Sequence, residues 1–157
     1  PVGDLQVVLA KFFAALAFYV LALLPLFGAL EIVRHYTAPG SGFDGALTAT
    51  TFGGLVLIGA TYLAMGCLAS ALTRSQIIAA TISFALGVCL FLVSFLRFSL
   101  GTQAGAVAEV VNYLSLFTHM EDFVRGVIDT RPLVFHLGLT GLLLFLNLKV
   151  VESRRWK

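Results

Sequence analysis

The sequence is short of charge. Of its 157 residues only 11% are charged, whereas about a quarter are charged in an ordinary soluble domain. Hydrophobic residues make up 59%, more than the core of a soluble protein of this size could shield from water. The charges stand in short clusters between long uncharged runs, a pattern typical of polytopic helical membrane proteins. We therefore expect an all-α polytopic membrane protein.

Other features that the sequence lacks exclude further classes. Cys67 and Cys89 lie in separate apolar runs with no CxxC or Cys/His spacing, so neither a disulfide nor a metal site is predicted. The formal net charge is only +2 and no basic run with interleaved aromatic residues occurs, so nucleic acid is not an expected partner. The phosphate loop GxxxxGK[ST] and the GxSxG and HExxH patterns of hydrolases are also missing. Energy from ATP would have to come from a separate protein.

Four uncharged stretches are long enough to cross about 30 Å of hydrocarbon. They cover residues 12–30, 45–73, 75–96 and 132–148. Pro25 predicts a kink in the first stretch, and the Pro- and Gly-rich residues 38–45 predict a loop after it. The expected fold is a single transmembrane domain over residues 1–157, made of four transmembrane helices and a short external amphipathic helix.

The distribution of lysine and arginine predicts the orientation of the spans. If the N-terminus is inside, six of the ten basic residues, including every lysine, fall in the shorter inner segments. These six are Lys11, Arg74, Lys149, Arg154, Arg155 and Lys157. The longer outer segments hold Arg34, Arg97, Arg125 and Arg131. Both termini are therefore expected in the cytoplasm.

The segment between the third and fourth stretches has two parts. The first is rich in Gly, Ser and Ala and predicts a loop. In the second, Thr118 and Glu121 are spaced as a capping box, which predicts an external amphipathic helix over about residues 118–129. Its polar side would carry i,i+4 ion pairs from Glu121 to Arg125 and from Arg125 to Asp129.

One group of residues resembles an acid–base or metal cluster: His119, Glu121, Asp122 and His136. His119 and Asp122 are three residues apart and could converge, but Glu121 points away from them. We expect a solvated, ion-paired face here, with no metal, cofactor or catalytic residue. His136 lies within the fourth apolar stretch and could face a polar cavity or bond a backbone carbonyl.

Small residues in the third stretch predict a helix contact. Ala79, Ser83 and Gly87 recur at four-residue spacing, which places them on one helix face that another helix can approach closely.

Two stretches resemble the permease subunits of ABC-2 type transporters, particularly the group with gliding-motility-associated permeases. The first is PVGDLQVVLAKF at residues 1–12, which looks like the family's junction between the cytoplasmic coupling helix and its third transmembrane helix. The second runs from YLSLF at 113–117 through EDF at 121–123 and RGVID at 125–129 to ESRRW at 152–156. It looks like the family's external helix, final span and basic tail. LTRSQ at 72–76 is similar to the family's inner turn.

The resemblance implies the last four spans of a six-span export permease in the bacterial cytoplasmic (inner) membrane. It would work as a homodimer or pseudo-dimer with an ABC ATP-binding subunit, and most of the coupling helix would precede Pro1. The coupling junction is assigned to Pro1, Asp4 and Lys11, with Asp4 capping the first helix and Lys11 at the cytoplasmic lipid boundary. Ala10 replaces the glycine that is usual before this lysine.

Two other functional classes remain open. One is an ATP-independent channel, secondary carrier or structural membrane subunit; a secondary carrier usually has ionisable residues near the membrane midplane. The other is a membrane-embedded enzyme, which would use His119, Asp122 and His136 and would need them to converge at one depth.

Overall fold

The computed structural model describes residues 3–37, 44–100 and 105–155, with all their side chains except those of residues 97–100, 106–108 and 155. This part of the chain is helical and contains no strand. Four helices are long and apolar enough to cross a membrane: α1 (Asp4–Tyr36), α2 (Gly45–Leu72), α3 (Gln76–Leu100) and α6 (Thr130–Arg155). Two short helices, α4 (Ala106–Leu114) and α5 (Leu116–Val124), connect α3 to α6. The protein is all-α and polytopic, which confirms the expected fold class.

The four long helices contain the four uncharged stretches to within one residue at each end, and two of them extend well beyond. α1 has 33 residues and is therefore about 50 Å long, so it must tilt or project from the hydrocarbon. Pro25 lies inside α1, and the helix continues past it to Tyr36. Glu31 and Arg34, beyond the end of the first uncharged stretch, still belong to α1 and form an ion pair 3.5 Å long. The predicted loop that begins at residue 38 lies mostly outside the described residues.

α2 is the central helix of the bundle. It contacts α1, α3, α5 and α6, and small residues allow this close approach. The ring of Tyr19 from α1 occupies the space where Gly59 would carry a Cβ, and the Tyr19 hydroxyl donates to the backbone oxygen of Leu55 at 3.1 Å. Further along α2, Ala64 is completely buried beside Phe12 of α1. The core therefore lies along α2.

The two ends of the bundle differ. One end, called here the termini end, holds the start of α1, the α2–α3 turn and the end of α6. There the ammonium group of Lys11 donates to the hydroxyl of Ser70 at 2.9 Å. The other end, called here the α5 end, holds α4 and α5.

Between α3 and α6 the structure corrects two predictions. The Gly-, Ser- and Ala-rich part is not simply a loop, because it contains the end of α3 and all of α4. The amphipathic helix covers residues 116–124, not 118–129, and its N-cap is Ser115 rather than Thr118. The Ser115 hydroxyl accepts from the N–H of Thr118 at 3.4 Å, the bond typical of an N-cap serine.

Gly126 ends α5. Its φ is +76°, a left-handed conformation that glycine adopts without strain. The N–H of Gly126 donates to the oxygen of Phe123 and that of Val127 to the oxygen of Asp122, so the helix ends in a Schellman motif. The predicted i,i+4 ion pair from Arg125 to Asp129 is therefore wrong, because the two residues do not belong to one helix. Asp129 instead accepts from the N–H of Arg131 at 3.1 Å, in the first turn of α6.

Candidate functional site

α5 packs into the bundle through one face. Ser115, His119 and Phe123, spaced four residues apart, are all at most 5% exposed. Phe123 packs on Gly54 of α2, where an added Cβ would lie 2.7 Å from the Phe123 ring. The hydroxyl of Thr50 donates to the oxygen of Phe123 at 2.9 Å. α5 is therefore anchored to α2 by both packing and hydrogen bonding.

The connection from α4 to α5 is held by α3. Ser94 of α3 is fully buried, and its hydroxyl accepts from the N–H of Leu116 at 2.9 Å. This bond satisfies one of the free N–H groups at the start of α5. The rings of Phe91 and Phe95 in α3 contact Phe117, with centroids 5.6 and 5.7 Å apart.

The prediction that His119 lies on a solvated face is wrong. His119 is 5% exposed, and its ring packs on Phe135 and His136 of α6 at centroid distances of 5.0 and 5.3 Å. Burial lowers the pKa of His119, and the nearby Asp122 carboxylate opposes this with a smaller rise. Glu121 does form the expected ion pair with Arg125. Of the polar residues of α5, His119 is thus buried in the bundle, whereas Glu121 pairs with Arg125 at the surface.

His136 belongs to a buried polar cluster between α2 and α6. Its Nδ1 lies 3.0 Å from the hydroxyl of Thr61, which lies 3.2 Å from the hydroxyl of Thr140. All three side chains are at most 8% exposed. His136 is 6 residues, or about 9 Å, from the first residue of α6, and its ring packs on His119 of α5, so the cluster lies inside the bundle in the part nearer to the α5 end.

The hydrogen bonds of this cluster involve only one of the two ring nitrogens of His136. The Thr61 hydroxyl has one hydrogen and also lies 3.3 Å from the backbone oxygen of Leu57. Whichever group donates between Thr61 and His136, Nε2 of His136 has no hydrogen-bond partner among the residues that the structure describes, and neither does Nδ1 of His119. Two neighbouring buried histidines therefore each keep a free ring nitrogen.

A polar cavity opens beside His119, between α4, α5 and the start of α6. Its volume is about 290 Å³, and we call it the polar cavity. Its lining consists of Glu109, Asn112, Tyr113, Thr118, His119, Asp122, Asp129, Arg131 and Pro132. The residues at the rim, such as Glu109 and Arg131, are exposed, whereas His119 and Pro132 are buried. The cavity therefore has an open polar rim and a buried floor.

The predicted helix contact in α3 faces α2. An added Cβ on Gly87 would lie 2.9 Å from the ring of Tyr62, and the Tyr62 hydroxyl donates to the oxygen of Gly87 at 3.2 Å. Ala79 and Ser83 are half-buried on the same face, and the Ser83 hydroxyl donates to the oxygen of Ala79 at 2.9 Å. The contact made here lies within one chain.

The residues assigned to the coupling junction lie at the termini end, except Pro1, which is outside the described residues. The predicted cap is wrong, because Gly3 is the N-cap of α1 and Asp4 is the first helical residue. An acidic side chain in that first turn still interacts favourably with the helix dipole. Lys11 is exposed near the last turn of α2.

Sequence reasoning missed Thr61, Thr140 and the cavity residues contributed by α4. One signal was available: His136, Thr140 and Asn147 lie on one face of α6, and all three are buried. In a membrane helix such a polar stripe indicates the side that faces protein. Nothing in the sequence pointed to Thr61, because its partner His136 is 75 residues away.

Among the residues that the structure describes, no group of three or more His, Cys, Asp or Glu side chains could hold a metal ion. Comparisons with protein-family models, with curated proteins and with solved structures find no match to this chain.

Proposed function

We propose that this protein is a permease subunit of an ABC-2 type exporter, with a substrate path driven by a separate ATP-binding subunit. The observation that carries the proposal is the polar stripe of α6. A path for a polar substrate needs polar side chains inside the spans, and His136, Thr140 and Asn147 supply them on a buried face of α6, where the first two meet Thr61 of α2. α5 lies against this stripe at one end of the bundle.

The ends of the bundle suit this proposal. Lys149 and Arg154 lie at the termini end together with Lys11 and Arg74, which favours a cytoplasmic location for that end in a bacterial inner membrane. α5 would then lie at the outer end. The sequence contains no phosphate loop, so ATP hydrolysis is assigned to the partner and this chain is not assigned a catalytic residue.

The resemblance to ABC-2 permeases also implies how the protein assembles. Two permease halves, as a homodimer or pseudo-dimer, would form the complete path within the bilayer. α1 and α3 offer lipid or a second permease many exposed apolar side chains, among them Phe18 and Phe84.

A push from the ATPase would reach the spans through the start of α1. The N–H of Val7 donates to the oxygen of Gly3 at 3.2 Å in the first turn of this helix. Val7→Pro removes this bond and clashes with the preceding turn, so it should break the stiff connection. Leu5→Pro is the matched control, because Leu5 is equally exposed and proline is tolerated in the first turn.

In the experiment, an ABC ATP-binding protein is expected to co-purify with the full-length protein, and the complex is reconstituted in proteoliposomes. We expect the permease to change the ATPase rate, and Val7→Pro to abolish that change while the complex still assembles. Leu5→Pro should behave as the wild type. An ATPase rate that is the same with and without the permease contradicts the proposal.

The second candidate is an ATP-independent secondary carrier. It is favoured by His136, an ionisable residue buried inside the bundle whose Nε2 has no hydrogen-bond partner among the described residues. The same proteoliposomes distinguish the two candidates, since uptake driven by a pH gradient with no ATPase present would establish a carrier.

A further inference from the structure

We propose that a groove between α1 and α3 binds one anionic phospholipid, with an acyl chain in the groove and the phosphate on the ammonium group of Lys11. The groove, called here the Lys11 groove, has a volume of about 440 Å³, and α2 forms its floor. Such a site needs only that the long helices cross a membrane. It is therefore independent of whether an ATP-binding subunit drives the protein.

The Lys11 groove runs from the termini end into the apolar part of the bundle. Lys11 lies at its mouth, where the ammonium group donates to the hydroxyl of Ser70 in the last turn of α2. Tyr62 lies eight residues, or about 12 Å, further along α2 and reaches across to the backbone oxygen of Gly87 in α3. The groove is thus open beside a cation and bounded at its inner end by an aromatic ring.

The inner part of the groove suits an acyl chain. No described atom outside the neighbouring backbone of α2 lies within 4 Å of the position of a Cβ on Gly66, whereas rings cover Gly54 and Gly59 of the same helix. The two hydroxyl groups in the lining, those of Tyr62 and Ser83, already donate to backbone oxygens of α3. The floor is therefore unfilled and the walls have their hydroxyl groups bonded, so the groove favours an apolar chain over a polar solute.

The charge at the mouth favours an anionic headgroup. Of the described residues that line the groove, Lys11 is the only charged one. In the described part of the chain Lys11 forms no ion pair, and its hydrogen bond goes to the neutral hydroxyl of Ser70. An ammonium group has three N–H donors, so two remain for a phosphate. Lysines near the membrane surface attract anionic lipids, and here that attraction acts at the end of an apolar groove.

A second groove provides the internal comparison. It lies between α1 and α2, with Leu137 of α6 in its lining, and its volume is about 490 Å³. The described residues that line it include no charged side chain, so it has nothing that distinguishes one lipid headgroup from another. Gly53 lines this groove and, like Gly66, has open space at the position of a Cβ within the described structure. Gly53→Leu is therefore a matched control for Gly66→Leu.

The test measures lipid binding to the full-length protein by native mass spectrometry. The anionic probe is phosphatidylglycerol, and the zwitterionic probe is phosphatidylcholine with the same acyl chains. We expect phosphatidylglycerol to bind about fivefold more tightly, which corresponds to the contribution of about 1 kcal/mol from one lysine at the membrane surface. Lys11→Gln should abolish this preference and Lys11→Arg should keep it. Lys149→Gln should also keep it, since Lys149 is exposed at the same end, pairs with Glu152 and does not line the groove.

Gly66→Leu tests the place of the acyl chain. A leucine on the floor should weaken binding of phosphatidylglycerol at least tenfold, the effect of displacing about two methylene groups from the groove. Gly53→Leu should leave this affinity unchanged. Thermal unfolding shows whether each variant is folded, and Lys11→Gln keeps the test decisive if Gly66→Leu does not fold.

Several results would overturn the proposal. These are absence of phosphatidylglycerol binding, equal affinity of the wild type for the two lipids, and equal losses in Lys11→Gln and Lys149→Gln or in Gly66→Leu and Gly53→Leu. A change of oligomeric state in Gly66→Leu with unchanged lipid affinity would also overturn it, because it would assign the groove to a second copy of the chain.

Discussion

α1 and α2 are both long, apolar helices, yet they occupy opposite positions in the protein. α1 lies at the edge of the bundle and buries only Val8 and Phe12 among its described residues. α2 lies at the centre, contacts four other helices and buries seven. Hydropathy does not explain the difference, since lipid chains are as apolar as a protein interior. The central helix is the one on whose surface side chains of neighbouring helices can pack closely.

The distinguishing property of α2 is that it has small residues on more than one face. Gly54 lies under Phe123 and Gly59 under Tyr19, and in each case an added Cβ would overlap the ring. In α1, by contrast, no atom of the described residues outside the neighbouring backbone of α1 lies within 4 Å of the position of a Cβ on Gly28. A side chain added at a glycine should therefore destabilise the protein in α2 but not at Gly28 of α1, and substitutions can measure this difference.

The largest effect is expected at Gly59. Gly59→Leu forces the ring of Tyr19 out of its place and breaks the bond to Leu55, so it should destabilise the protein by about 3 kcal/mol, the upper range of overpacking. Gly28→Leu is the matched control in α1 and should change stability by less than about 0.5 kcal/mol. Thermal unfolding in detergent compares the two. Similar melting temperatures would remove the distinction between centre and edge.

A smaller effect is expected where α3 meets α2. Gly87→Leu should displace Tyr62 and cost about 1–3 kcal/mol, whereas Val88→Leu, on an exposed position one residue away, should be mild. The measurement is the yield of folded protein together with its unfolding midpoint. Equal tolerance of both substitutions would show that this face of α3 is not a tight contact.

Thr61→Val tests the polar part of the centre. It removes the hydroxyl that pairs with His136 and keeps the shape, which should cost about 1–2 kcal/mol because a buried nitrogen loses its partner. Thr51→Val, also in α2, removes a hydroxyl that bonds only within its own helix and should have little effect. The measurement is the unfolding midpoint of each variant. A larger loss of stability in Thr51→Val than in Thr61→Val would mean that the cluster does not contribute to stability.

The smallest effect concerns pH and the docking of α5 on the centre. Because the pKa of folded His119 lies below the ordinary value of 6.5, the undocked state binds more protons as pH falls below that value. Docking is thus fully stable above pH 6.5 and weakens as pH falls. Hydrogen-exchange protection of the α5 amides should be lower at pH 5.5 than at pH 7.5, after correction for intrinsic rates. His119→Gln should reduce this difference; an unchanged difference would exclude His119 as its source.

Prediction of α5 from the sequence succeeded in part. Its existence and its ion pair from Glu121 to Arg125 were predicted, because i,i+4 spacing is a local signal, whereas the N-cap assigned to Thr118 was wrong. Its end was misplaced although Gly126 marks it. The buried face was also misjudged: His119 looked like a surface residue, and only the presence of Phe135 and His136 beside it shows otherwise.

The sequence by itself determined that the chain is helical and how many helices can cross a membrane, because the length of an uncharged run and the thickness of hydrocarbon decide this locally. Only the tertiary structure decided which helix is central, which face of α5 is buried and which polar groups meet. Those choices depend on the fit of small residues under rings and on hydrogen bonds between residues far apart in the chain, such as Thr61 and His136. Hydropathy cannot make them, since lipid and protein interior are equally apolar.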